Sequence, residues 1–431
     1  MADPSSVVVR PARNVLGSLR LPGDKSISHR YAMLAALAEG TTHLENFSRG
    51  ADCASTLACM EALGAGVTRA AEGGVDIQGI GPALQPPARA LDCGNSGSTM
   101  RMLAGILAGQ RFSSELVGDA SLSRRPMARV AEPLRQMGAT ITCGADGRPP
   151  LRITGARLRA MDYTLPVASA QVKTALLFAG LLAEGETSVE EPLRTRDHGE
   201  LALRAFGAEV TRVRRRASLR GGQKLHAISA RVPGDISSAA FFLCAAAIFP
   251  DSNLVIDALG MNPTRAALLD VLAAMGARVA VLNLEEHQDE LVGTVKVEAG
   301  ALKGATIAGV QSAALIDELP VLAAIAPYTQ DGIEIRDAAE LRVKESDRIA
   351  AVARNLRAMG AQVEELPDGL RVPGSQPLRG GEVDSAGDHR IAMAFAVAAL
   401  RASGDTLIRG ASAARISFPE FFTLLDAVTQ L

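Results

Sequence analysis

A short phrase built around one glycine returns five times along the chain: MEALGAGVT (60–68), LRQMGATIT (134–142), LRAFGAEVT (203–211), LAAMGARVA (272–280) and LRAMGAQVE (356–364). Each copy reads as the last turn of an amphipathic helix, a glycine (64, 138, 207, 276 and 360) able to take the left-handed helix-end conformation, and the β-branched start of a strand. A helix-to-strand unit therefore recurs about every 70 residues. Between the copies lie six segments in which a small polar or Gly-rich turn opens an almost wholly apolar helix, at 23–40, 94–109, 169–185, 234–249, 315–328 and 387–404. A helix that is apolar all round belongs inside a domain, so six of them with strands between predict an α/β protein of two domains, each of three helix-strand units. FPEFFTLLDAVTQL (418–431) supplies a sixth amphipathic helix with no strand after it, and the N-terminal SVVVRPA can complete that unit. The expected organisation is a discontinuous domain, 1–20 plus 234–431, with 21–233 inserted and two chain crossings forming a hinge. A Rossmann fold is the rival, but no strand-GxGxxG-helix unit with a downstream acid appears.

Charge and composition remove several function classes. The chain of 431 residues carries 45 basic and 47 acidic side chains, so no global field calls for nucleic acid or an anionic membrane, and any anion site must be local. Trp is absent and aromatics make up 3%, which leaves no stacking platform for bases. The basic run 212–224 reads as a solvated hairpin. Five cysteines without a CxxC pair fit free thiols in a reducing compartment, and six histidines without HExxH give no metal site. No stretch reaches the roughly 18 apolar residues of a membrane span, and no signal peptide is evident at the start. A cytoplasmic monomer acting on small molecules, with no metal or cofactor, is expected.

Helix N-termini attract anions through their unpaired N–H groups and dipole ends, and this chain places cations there. LPGDKSISHR (21–30) offers Lys25, Ser26 and Arg30, and CGNSGSTMR (93–101) is a run of small residues with Arg101 one turn into the helix. SLSRRPMARV (121–130) sets Arg124 and Arg125 before Pro126, a residue suited to the first helical position. SAQVK (169–173) places Ser169 and Gln171 at a helix start, where capping explains Ser169 but not why Gln171 and Lys173 interrupt an apolar stretch. DELP (317–320) puts two carboxylates at a helix mouth, where Asp317 also reads as a cap. In LRVKESDRI (341–349), Lys344 and Arg348 would share one face of a helix at i, i+4. GDHRIAMAF (387–395) runs Asp388, His389 and Arg390 straight into buried apolar residues.

PGDKSISHR, GNSGSTMR, RRPM, SAQVK, RDHGE (196–200), DELP, VKESDR and DHRIAMAF together resemble the 3-phosphoshikimate 1-carboxyvinyltransferase family in order and spacing, over essentially the whole chain. The resemblance implies the two-domain enolpyruvyl transferase fold, an inverse α/β barrel with a ligand cleft at the hinge. The implied activity joins phosphoenolpyruvate to the 5-hydroxyl of shikimate 3-phosphate in the shikimate pathway of aromatic amino-acid biosynthesis. Carried over by motif, Lys25, Ser26, Arg30, Ser169, Gln171, Arg196, Asp317 and Lys344 would hold shikimate 3-phosphate. Phosphoenolpyruvate would sit among Lys25, Gly97, Arg125, Gln171, Arg348 and Arg390, with Asn95 nearby. The inserted domain would then give the Lys25, Arg125 and Gln171 side of the cleft, and the discontinuous one the Glu345, Arg348 and Arg390 side. Asp317 is the expected base for the hydroxyl and Glu345 the acid/base at C3, with Lys25 and His389 as other proton donors.

SAQVK, RDHGE and NPTR (262–265) look like the branch of the family that often tolerates glyphosate, although Gly97 is the small residue of the sensitive members. Many members carry a lysine two residues before the FP pair near the C-terminus, where this chain has Ile416 beside Arg415. The same-fold transferase acting on a UDP-amino sugar would have a cysteine in the arginine-bearing loop, and 118–130 has none. A non-catalytic phosphometabolite sensor would need no acid/base pair such as Asp317 and Glu345.

Overall fold

The computed structural model describes residues 5–70 and 73–431. By internal contacts the chain forms two compact units: Met1–Pro22 with Pro233–Glu285 and Leu291–Leu431, and Gly23–Val232 with Glu286–Glu290. The chain therefore passes between units four times rather than two, because the tip of the hairpin Arg278–His287/Glu290–Glu298 groups with the inserted unit.

The inserted unit repeats one motif three times. In the second copy the strand Leu91–Asp92 leads through the helix Gly97–Ala108 to a parallel strand Ser113–Val117, then through the helix Ala128–Gln136 to the strands Thr140–Cys143 and Leu151–Thr154, which join antiparallel. The third copy runs the same way from Asp162–Thr164 through the helix Ala170–Leu181 to Glu186–Glu190, and through the helix His198–Ala205 to Val210–Val213 and Arg216–Arg220. That last pair is the solvated basic hairpin. The first copy, built on the helix Lys25–Leu37 and the strand Glu39–Glu45, takes its leading strand from the far end of the unit, where Ser229–Arg231 pairs parallel with His43–Glu45.

One helix of each copy is buried almost throughout, and these three fill a single apolar core. The helices Gly97–Ala108 and Ala170–Leu181 approach so closely that a Cβ at Gly105 would stand 2.1 Å from the Ala175 carbonyl oxygen, so only glycine fits there. The second helix of each copy ends as the repeated phrase requires, with Gly64, Gly138 and Gly207 at φ of 101°, 117° and 93°.

The other unit has its own core, around the buried helices Ile236–Ala247, Leu319–Ile325 and His389–Ala399. Both chain ends build its sheets. Val7–Val9 pairs antiparallel with Thr406–Arg409, and Asn14–Arg20 runs parallel to Asn253–Gly260. The C-terminal helix Phe421–Val428 is followed by a short strand after all: Thr429–Gln430 pairs antiparallel with Asn14–Val15, because the preceding helix delivers the chain to that open sheet edge.

Candidate functional site

The three buried helices of the inserted unit, and the helices Leu319–Ile325 and His389–Ala399 of the other, begin with polar residues that the sequence singles out, and the structure links many of these residues within each unit. In the inserted unit Asp24 caps the helix Lys25–Leu37 through its side chain and Ser96 caps Gly97–Ala108. Ser169 Oγ accepts from Val172 N at 3.3 Å, so capping does account for Ser169. Gln171 bridges two helices: its Oε1 accepts from Arg101 Nη1 at 2.6 Å and its Nε2 donates to Ser98 Oγ at 2.9 Å. Arg101 Nη2 donates onward to the Pro126 carbonyl at 3.2 Å.

Arg125 is buried and donates to Asn95 Oδ1 at 2.7 Å and Ser121 Oγ at 3.2 Å, whereas Arg124 is exposed. Neither arginine stands at a helix entrance set by Pro126. A 3-10 turn, Leu122–Arg124, intervenes, and the helix begins at Ala128, past the proline. Gly97 faces both guanidinium groups: a Cβ there would lie 3.1 Å from Arg101 Nη1 and 3.3 Å from Arg125 Nη1. Buried Arg30 donates to the Ser26 carbonyl at 2.8 Å and to Thr174 Oγ1 at 3.1 Å. Lys25 Nζ pairs with Asp52 Oδ2 at 2.9 Å, a partner the sequence hinted at only by an acid in the first turn of the helix Ala51–Ala62. Burial, with Lys25 and Arg30 adding to it, holds His29 well below the usual imidazole range, so it stays neutral.

Lys173 explains its own place in an apolar helix. Its Nζ lies 2.9 Å from Glu191 Oε2 and 2.8 Å from Glu200 Oε1, with all three side chains buried. Burial pushes the Glu200 carboxyl above its ordinary 4.5, and Lys173 offsets this only in part. A carboxyl whose folded pKa is raised costs stability once pH climbs from 4.5 through the folded value. Glu200→Gln is therefore expected to be as stable as the parent near pH 5 and more stable at pH 8, read from urea midpoints. A deficit that is constant with pH would contradict this.

The other unit gathers carboxylates around one arginine. Arg348, 1% exposed, is the first residue of the helix Arg348–Ala358. Its Nη2 donates to Glu345 Oε2 at 2.6 Å, its Nε to Asp388 Oδ2 at 2.8 Å and its Nη1 to Asp317 Oδ1 at 3.3 Å. Although burial opposes it, the attraction of Asp388, Glu345 and Asp317 raises the Arg348 pKa. Burial alone would push the Asp388 carboxyl up, but Arg348 outweighs it and holds Asp388 below its ordinary 3.8.

Lys344 is not on the helix of Arg348. It ends the 3-10 turn Ala339–Val343 in an extended conformation, because Asp347 caps the following helix, and its Nζ lies 4.0 Å from Asp317 Oδ1. The helix starts at Leu319, so Glu318 rather than Asp317 stands in its cap position. Arg390 donates to the Asp317 carbonyl at 2.7 Å, and its Nη1 lies 3.8 Å from Glu318 Oε1. His389 is buried in the first turn of its helix, 3.9 Å from Asp388. Arg415 is exposed and Ile416 half-buried on the turn Ala411–Ile416. A cavity of about 530 Å³ opens at the opposite, C-terminal ends of this unit's buried helices, among Phe249, Leu302, Tyr328, Gln376 and Arg401. It contains none of the charged cluster.

Among the described residues no group of three or more His, Cys, Asp or Glu is placed to hold a metal ion, and no helix is long and apolar enough to cross a membrane. The arrangement offers anion-binding guanidinium and ammonium groups beside paired carboxylates able to move protons. Residues 9–425 match the family EPSP synthase (3-phosphoshikimate 1-carboxyvinyltransferase). The chain is 64% identical over 425 residues to the 3-phosphoshikimate 1-carboxyvinyltransferase of Koribacter versatilis (strain Ellin345), covering 99% of each. It is 55% identical over 423 residues to that of Solibacter usitatus (strain Ellin6076), covering 98% of this chain and 99% of the relative. Among solved structures, an EPSP synthase from Acinetobacter baumannii superposes with a TM-score of 0.88 at 44% identity, over 98% of both chains. With a match that runs nearly from end to end and the motif residues assembled at the helix starts of both units, the chain belongs to the EPSP synthase (3-phosphoshikimate 1-carboxyvinyltransferase) family.

Proposed function

We propose that the two charged clusters act together on one pair of anionic reactants, Lys25, Gln171 and Arg125 from the inserted unit and Asp317, Glu345, Arg348 and Arg390 from the other. The enzyme transfers the enolpyruvyl group of phosphoenolpyruvate to shikimate 3-phosphate, a step of aromatic amino-acid biosynthesis. In our reading Lys25, Ser26, Arg30, Ser169, Gln171, Arg196 and Lys344 hold shikimate 3-phosphate. Lys25, Gly97, Arg125, Gln171, Arg348 and Arg390 hold phosphoenolpyruvate, with Asn95 orienting Arg125.

Asp317 takes the proton of the 5-hydroxyl as its oxygen attacks C2 of phosphoenolpyruvate, while Glu345 delivers a proton to C3. The resulting tetrahedral adduct carries a methyl group. Its C–O bond to phosphate breaks as the Glu345 carboxylate recovers a methyl proton and the proton held by Asp317 passes to the departing phosphate, leaving the enolpyruvyl ether and inorganic phosphate.

The observation that carries these roles is that Asp317 and Glu345 accept from the same guanidinium, that of Arg348. Both carboxylates are thereby held beside one cation in a single hydrogen-bonded cluster. Lys25 and His389 are the second donors for C3, and Glu345→Gln retaining parental turnover would transfer the role to them.

Phosphate release measured with shikimate 3-phosphate and, separately, with a UDP-amino sugar acceptor tests the substrate. Release is expected with the first alone, and release with the sugar nucleotide would overturn the assignment. Gly97→Ala is expected to raise KM for phosphoenolpyruvate at least several-fold, since two guanidinium tips must retreat by tenths of an ångström. KM for shikimate 3-phosphate should move little, and an unchanged KM for phosphoenolpyruvate would remove Gly97 from that pocket.

A further inference from the structure

We infer that Thr195 is a positioning residue, whose hydroxyl links the buried Lys173–Glu191–Glu200 triad to the loop that carries Arg196. The inference rests on the proposed role of Arg196 in holding shikimate 3-phosphate. The loop 191–197 leaves the strand Glu186–Glu190 and enters the helix His198–Ala205, and Leu193 and Arg194 within it are exposed. Nothing in regular secondary structure fixes such a segment; side chains must.

Glu191 does so from one end. Its Oε1 accepts a short hydrogen bond from the Thr195 hydroxyl, its Oε2 lies 3.4 Å from the Thr195 backbone nitrogen, and the same Oε2 is held by Lys173 at 2.9 Å. Asp197 fixes the other end, accepting from Arg212 at 2.6 Å and Arg194 at 3.3 Å. Arg196 lies between these anchors.

The helix that carries Lys173 also carries Gln171 and a contact of Arg30, two other proposed shikimate 3-phosphate residues. Lys173 is two residues along the helix from Gln171, and its neighbour Thr174 accepts from Arg30 at 3.1 Å. Arg30 and Gln171 are thereby tied to the helix that carries Lys173, and the loop of Arg196 is tied to the same helix through Glu191. The two carboxylates and single ammonium are fully enclosed, so the triad holds one geometry, and Thr195 transmits it to the loop.

Three variants and a cycle test this: Thr195→Val, which keeps the shape and removes the hydroxyl; Thr195→Ser, which restores it; Arg196→Ala; and Thr195→Val with Arg196→Ala. Thr195→Val is expected to raise KM for shikimate 3-phosphate about tenfold, with kcat within about twofold and KM for phosphoenolpyruvate unchanged. Thr195→Ser should return KM to near the parental value. Because Thr195 acts through Arg196, the double variant should be no worse than Arg196→Ala alone. If Arg196→Ala leaves KM for shikimate 3-phosphate unchanged, the ligand role of Arg196 fails. If Arg196→Ala raises it but Thr195→Val does not, or if the two effects multiply, the positioning role fails while the ligand role stands. A loss of kcat in Thr195→Val together with a lowered melting temperature and no rescue by serine would mark the hydroxyl as structural only.

Discussion

Replacing Arg348 by methionine is expected to lower the melting temperature by roughly 6 to 20 °C and to abolish turnover. Removing one partner of a buried ion pair typically costs about 3 to 5 kcal/mol, and each kcal/mol moves the melting point of a domain of this size by about 2 to 4 °C. The cost arises because Asp388, 0% exposed, loses the charge that outweighs its desolvation, and Asp317 and Glu345 lose their shared donor. The pH dependence separates this cause from a simple packing defect. In the parent, Asp388 has a depressed pKa, so its contribution is present above 3.8 and is lost as pH falls through the folded value. Without Arg348, burial and the neighbouring Glu345 charge push the Asp388 pKa up, so the variant should recover part of its deficit on going from pH 8 to pH 5. A deficit independent of pH, or a melting point within 2 °C of the parent, would show that the carboxylates do not depend on this guanidinium. Arg348→Lys should fall between the two, since an ammonium keeps the charge but cannot reach three carboxylates with the planar fork.

Asp317→Ala is expected to cut kcat by at least about 100-fold, the scale of general-base catalysis, while shikimate 3-phosphate still binds. Arg348 keeps Glu345 and Asp388 as partners in this variant, so the fold should survive with a modest loss of stability. Asp317→Asn preserves an acceptor for Arg348 and cannot take a proton, so it should lose turnover to the same degree with almost no change in melting temperature. Stopped-flow turnover alongside calorimetric binding separates the two quantities. Near-parental kcat in Asp317→Asn would remove the base assignment, and loss of binding in both variants would make Asp317 a ligand contact instead.

The fold was legible because its repeats are written in backbone requirements. All five recurring glycines adopt a positive φ after a helix, and the six apolar segments each contain a buried helix. The pairing of side chains was less legible. Lys173 interrupts an apolar helix for partners 18 and 27 residues away, which helical periodicity cannot reveal. Lys344 and Arg348 carry helix-like spacing, yet the Asp347 cap between them starts the helix at Arg348, and both cations meet Asp317 from different elements. Pro126 suits a helix start, but a 3-10 turn ahead of it moves that start to Ala128. In each case a local preference yielded to a contact formed only in the folded chain.

The way the sheets are completed bears on how the protein emerges from the ribosome. The inserted unit gains its last strand at Ser229–Arg231, so apart from the hairpin tip it can close while the rest of the nascent polypeptide is still being made. Val7–Val9 has no sheet to join until Thr406–Arg409 has been translated, and Asn14–Val15 waits for Thr429–Gln430. Val7–Val9 is thus among the last strands to be paired, whereas Leu16–Arg20 can join Asn253–Asp257 much earlier, so it is the 7–9 stretch that must be kept from aggregating for most of the time of synthesis. Ribosome-stalled chains ending near residue 300 should accordingly protect 23–232 from protease while leaving residues 7–9 cleavable.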